Sequence, residues 1–114
     1  MPEPLATRSC YIPATRLIEL YDKKKLSPVE VTKESLARLA EVNEAVNAFC
    51  FVDEEAALSD AKDSECRWAR GEPLGLTDGV PVSIKDIVVT KGHTVRRGSR
   101  TTPKNAPEPF DCPA

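Results

Sequence analysis

The run Val80 to Val89, Val-Pro-Val-Ser-Ile-Lys-Asp-Ile-Val-Val, constrains this chain more than any other segment. It is apolar and largely β-branched on both sides, the pattern of a strand buried in the interior of a parallel or mixed sheet. Gly and Pro punctuate the surrounding stretch from Glu72 to Ser99, so the strand is expected to centre on Val82, Ser83, Ile84 and Lys85. An interior strand needs a neighbour on each edge, and the rest of the chain offers few. One candidate is the short apolar run Asn47-Ala48-Phe49-Cys50-Phe51-Val52, which has strand length. Unpaired edges template association, so the chain is expected to expose apolar surface and to self-associate.

Helical patterns fill the first half. Ala14, Leu17, Ile18 and Tyr21 share one helical face, and the basic run Lys23-Lys24-Lys25 suits the negative end of the helix dipole. Ser27-Pro28-Val29-Glu30 then supplies an N-cap hydroxyl, a proline at the first helical position and a carboxylate at the third. The second helix is predicted from about Pro28, with Val29, Leu36, Leu39 and Ala40 on its apolar face and Val31 and Val42 widening it. These two helices can pack as an antiparallel hairpin. Asp53 is expected to cap a third helix opened by Glu54 and Glu55, with Ala57, Ala61, Ser64 and Trp68 on its packing face and Gly71 at its stop. Beyond Arg100, prolines at 103, 107, 109 and 113 make the chain a loop. The resulting class is α/β: a helical hairpin, a short strand, a helix and the start of a central mixed sheet, with the fold incomplete.

Charge narrows the partners. Charged residues make up 30% of the chain but the net charge is only -2, with both signs interspersed, which disfavours a nucleic-acid or anionic-membrane surface. The segment Met1 to Tyr11 has neither a signal-peptide core nor a spanning helix, and a cytoplasmic location is expected. Cys10, Cys50, Cys66 and Cys112 form no CxxC pair, and His93 has no partner ligand nearby in sequence, so neither a metal nor a cofactor is expected. The cysteines are expected to be free thiols acting as small buried hydrophobes.

Lys85 carries the chemical interest, because a lysine at the end of a buried strand needs a reason. Burial without a full counter-charge favours the neutral amine, which can accept a proton from a hydroxyl nucleophile. The residues alone leave two alternatives open, a Lys85 that reaches the surface and one that pairs with Asp86. Arg96-Arg97-Gly98-Ser99 also has the form of a basophilic kinase site, and Arg96, Arg97, Arg100 and Lys104 form a basic cluster without interleaved aromatics.

Three blocks in order resemble the amidase-signature family: Pro13-Ala14-Thr15 leading to Leu26-Ser27-Pro28-Val29-Glu30-Val31, then Asn47-Ala48-Phe49, then Gly79-Val80-Pro81-Val82-Ser83-Ile84-Lys85-Asp86-Ile87. Gly98-Ser99 lies where the family usually carries a Gly-Ser pair. The resemblance implies a mixed α/β fold, with residues 1–12 as an N-terminal extension and 13–114 as part of one amidase-signature domain. It also implies hydrolysis or transfer of amide groups on a small-molecule amide substrate by a Ser, cis-Ser, Lys triad, with Lys85 as the catalytic lysine. The family's two serines belong to a Gly/Ser-rich segment with the oxyanion hole, and none of Ser9, Ser27, Ser35, Ser59, Ser64, Ser83 and Ser99 lies in such a run. The fragment is therefore expected to be inactive alone. The rival expectation is a non-catalytic interaction or regulatory remnant. The choice between a free amidase and one component of a tRNA-dependent amidotransferase stays open, as does the part of Asp86 and Gly98-Ser99, either in supporting the lysine or in structure alone.

Overall fold

Helix starts and stops follow the sequence closely. The computed structural model of the protein describes residues 8–103 and 105–113. Residues 1–7 of the expected extension, Lys104 of the basic cluster and Ala114 lie outside that range. The chain divides into two compact units, with the division between Pro81 and Val82.

The first unit contains a 3-10 turn at Ser9–Tyr11 and three helices, α1 (Ala14–Asp22), α2 (Pro28–Val46) and α3 (Glu54–Ala69). Ser27 caps α2 reciprocally: its hydroxyl accepts Glu30 N at 3.2 Å while the Glu30 carboxylate accepts Ser27 N at 2.8 Å. Asp53 caps α3 by accepting Ala56 N at 2.9 Å. α1 and α3 end alike. Lys24 at φ 57 and Gly71 at φ 71 are left-handed, and Lys25 N and Glu72 N each bond a carbonyl five residues back, at 2.9 Å in both cases. The basic run thus closes α1 through its backbone, while Lys24 Nζ donates to the Trp68 carbonyl in the last turn of α3.

The core of this unit gathers Leu17 and Tyr21 from α1, Val31 from α2 and Trp68 from α3, with Ile12, Ile18 and Leu26 packed around them. Ala61 and Ser64 of α3 are buried as the small-residue face requires. The α1–α2 hairpin expectation needs correcting. α2 packs chiefly against α3 and the 3-10 turn, while α1 joins the core through Leu17 and Tyr21, the Tyr21 and Trp68 rings lying 5.8 Å apart between centroids. Val31, predicted to flank the α2 stripe, is instead its buried centre, and Ala40 is exposed. The more distal Leu36, Leu39 and Ala40 line an open groove of about 330 Å³ with Val52 and Leu58.

Neither predicted strand forms, and the described residues contain three helices and no strand. At residues 47–52 the reason is local: Asn47 adopts φ 50 to end α2, and the Asn43 side-chain amide bonds both Phe49 N, at 2.9 Å, and Phe49 O, at 3.0 Å. That amide takes the place of a partner strand for the Phe49 backbone. At residues 81–85 the chain is irregular and has no ladder partner, so Val82 is 83% exposed and Ile84 59%. A strand is made by its hydrogen-bonded neighbours, and sequence pattern alone does not supply them.

In the second unit a single parallel bridge joins Lys91 to Glu108. Around it Gly92 N bonds Glu108 O, Glu108 N bonds His93 O and Cys112 N bonds Val89 O, at 2.9, 3.0 and 2.9 Å. Val95 is its buried hydrophobic residue among those described. All four cysteines are free; Cys50 and Cys66 are exposed and the other two half-buried, so their expected role as buried hydrophobes does not hold. Among the described residues no helix is long and apolar enough to cross a membrane.

Candidate functional site

Lys85 stands in the second unit at the end of the irregular stretch 82–85 and is exposed. The expectation of a lysine on a buried strand is therefore not met in this chain, where Val82, Ile84 and Ile87 around it are themselves exposed. The backbone after it turns sharply, with Val88 N donating to Lys85 O at 3.0 Å. Asp86 does not serve as the lysine's counter-charge. Its Oδ1 accepts Arg96 N at 3.0 Å and its Oδ2 accepts Gly98 N at 3.3 Å.

The other residues that the sequence singles out are placed as follows. Ser83 is exposed on the same irregular stretch. Ser99 is half-buried and shares a 2.6 Å hydrogen bond with the Thr101 hydroxyl while accepting Thr101 N at 3.1 Å, which makes it a turn residue. Of the basic cluster, Arg97 and Arg100 are exposed, whereas Arg96 is half-buried. Ser27 is the α2 cap in the first unit. Among the described residues no group of three His, Cys, Asp or Glu could hold a metal.

The first unit contains a polar cluster that sequence pattern does not announce. Asp78, its side chain 5% exposed, receives two bonds from Arg67 at 2.7 Å each, one from Ser64 Oγ at 2.7 Å and one from Leu74 N at 2.9 Å. Trp68 Nε1 donates to Asp78 O, and Tyr21 OH to Gly79 O, both at 2.9 Å. The paired Arg67 guanidinium, with the Leu74 N–H and Ser64 hydroxyl, holds the Asp78 carboxyl well below the usual carboxylate range. Burial pushes the Tyr21 phenol up to about 12. The one available signal is the spacing of Ser64, Arg67 and Trp68 on one turn of α3, which a reading of that face by residue size alone passes over. The cluster fixes the Asp78-Gly79 turn that opens the block Gly79 to Ile87.

Comparison with known proteins bears on the same block. The amidase family profile matches residues 30–113. The chain is 45% identical over 87 residues to the A-subunit of glutamyl-tRNA(Gln) amidotransferase from Salinispora tropica, covering 76% of this chain and 18% of that protein. Its counterpart from Geobacter sp. strain M21 is 45% identical over 96 residues, 82% of this chain and 19% of its own length, and that from Myxococcus xanthus 42% over 86 residues, 75% and 18%. The chain thus spans under a fifth of the length of these curated relatives. With most of its length inside the family match, the chain belongs to the amidase family and corresponds to the N-terminal part of its amidase-signature members.

Proposed function

We propose that this chain supplies the lysine-bearing segment of an amidase-signature enzyme that cleaves or transfers carbon–nitrogen bonds of amides. Lys85 is the proton acceptor of a Ser, cis-Ser, Lys triad whose serines and oxyanion hole belong to sequence beyond these residues. The observation that carries the reading is the block Gly79 to Ile87, with Lys85 inside it, lying within the family match. The named relatives favour an amidotransferase component over a free amidase, with an amide as nitrogen donor.

The chemistry requires more than this segment provides. A lysine acts as a base through its neutral amine, which enclosure away from water favours. In this chain Lys85 is exposed, so the enclosing walls come from the remainder of the parent domain. The same remainder gives Val82 to Lys85 the strand partners they lack here. Lys85 would then take a proton from the bridging serine, which in turn activates the nucleophilic serine. The isolated chain is accordingly expected to hydrolyse no simple amide above a heat-treated control.

The test fuses the full 114-residue chain in frame to the C-terminal remainder of the Salinispora tropica relative and follows ammonia release from an amide donor. The fusion is expected to turn over. Lys85→Ala is expected to lower the rate by about two to four orders of magnitude, the scale of general-base loss. A folded Lys85→Ala fusion with near-normal turnover would remove the lysine from the mechanism.

A further inference from the structure

The residue beside the lysine grips a distant turn of its own unit. Three consecutive backbone N–H groups converge on Asp86: Arg96 N reaches Oδ1 at 3.0 Å, Arg97 N reaches the main-chain carbonyl at 3.1 Å and Gly98 N reaches Oδ2 at 3.3 Å. They converge because Arg97 at φ 52 and Gly98 at φ 68 are both left-handed, which curls successive N–H groups inward as a concave anion cradle. A Cβ placed on Gly98 would meet nothing within 4 Å, so glycine is present there for its backbone and not for room. On the other side of Lys85, its carbonyl is tied by Val88 N at 3.0 Å. Both carboxylate oxygens of Asp86 are therefore taken up by main chain, ten and twelve residues further along.

We propose that Asp86 is a positioning residue: by clasping the Arg96–Gly98 turn it fixes the main chain at Lys85 and hence the direction in which the amine is presented. This rests on the reading of Lys85 as proton acceptor. A positioned base loses rate steeply when its placement shifts by about an ångström, while substrate affinity set elsewhere is retained. Asp86 touches neither substrate nor the reacting proton; it acts through the backbone. The side-chain requirement is specific, because two separate N–H donors need two acceptor oxygens. Asparagine satisfies one, and alanine neither.

Two measurements test this. In the 114-residue chain, Asp86→Ala should move the Arg96 and Gly98 amide resonances together in NMR spectra, because both N–H groups lose their acceptor at once. In the fusion with the relative's C-terminal remainder, Asp86→Ala should lower kcat about ten- to a hundredfold with KM changed less than about twofold, and Asp86→Asn should recover part of the loss. Gly98→Ala, which leaves every polar side chain in place, should shift kcat in the same direction by less and serves where Asp86→Ala does not fold. Uncoupled amides, or a folded Asp86→Ala fusion with unchanged kcat beside an inactive Lys85→Ala fusion, would overturn the positioning role and leave the lysine reading intact. An active Lys85→Ala fusion would overturn both.

Discussion

Among the described residues, Asp78 is the most heavily bonded side chain in the first unit, and its neighbourhood shows what single residues contribute. Removing one member of a buried ion pair costs about 3–5 kcal/mol, mainly because the other charge is left uncompensated. Arg67 keeps 23% of its side-chain surface in contact with water, so Asp78→Ala should cost about 3 kcal/mol, at the low end of that range. Denaturant unfolding measures it. The pH dependence follows from the direction of the shift: a carboxyl held below its unfolded value of about 3.9 stabilises fully above that pH and less as pH falls toward the folded value. The stability gap between wild type and Asp78→Asn should therefore be constant from about pH 7 to about pH 5 and narrow below about pH 4. A gap that widened on acidification would contradict the pairing. Gly79 is constrained twice over, by φ 84 and by space, since an added Cβ would lie 2.6 Å from Ser64 Oγ and 2.7 Å from Pro28 Cγ. Gly79→Ala should destabilise by more than the roughly 1 kcal/mol of left-handed strain alone, whereas Gly98→Ala, with open space around it, should cost only that strain.

Elements differ sharply in how far sequence foretells them. α2 and α3 begin at the residues their capping side chains announce, because a cap is a local bond between neighbours and needs nothing distant. Ser27→Ala should cost about 1 kcal/mol and loosen the first turn of α2, which amide exchange at Glu30 and Val31 would register. Unchanged exchange there would mean the cap contributes nothing. The strands escape sequence reading for the opposite reason. Val80 to Val89 has the composition of a buried strand, but a strand exists only with partners, and pattern does not reveal whether partners are within reach. At residues 47–52 the Asn43 amide is the decisive group, and nothing in periodicity marks a side chain that stands in for a neighbouring backbone. The candidate site divides the same way. Lys85 is legible through the family block, yet its exposure is not, and Asp86's two backbone bonds depend on left-handed residues that hydropathy does not encode.

At the scale of the whole molecule, the two units leave much apolar surface uncovered: Leu74 and Leu76 in the first, and Val82, Ile84, Ile87 and Phe110 in the second, are each more than half exposed. With a net charge of only -2, long-range repulsion opposes association weakly. The chain should bind a hydrophobic dye at neutral pH and sediment as concentration-dependent oligomers, relieved in the fusion with a relative's remainder. A monodisperse monomer with a sharp cooperative transition would mean the segment is self-sufficient. Residues 82–85 should form a strand only when the rest of an amidase core surrounds them, and the proposed role of Lys85 depends on that enclosure. Amide hydrogen exchange across Val82 to Lys85, compared between the 114-residue chain and the fusion, tests this directly. Exchange should run near the unprotected rate in the chain alone and be slowed by several orders of magnitude in the fusion; equal exchange in both would contradict it.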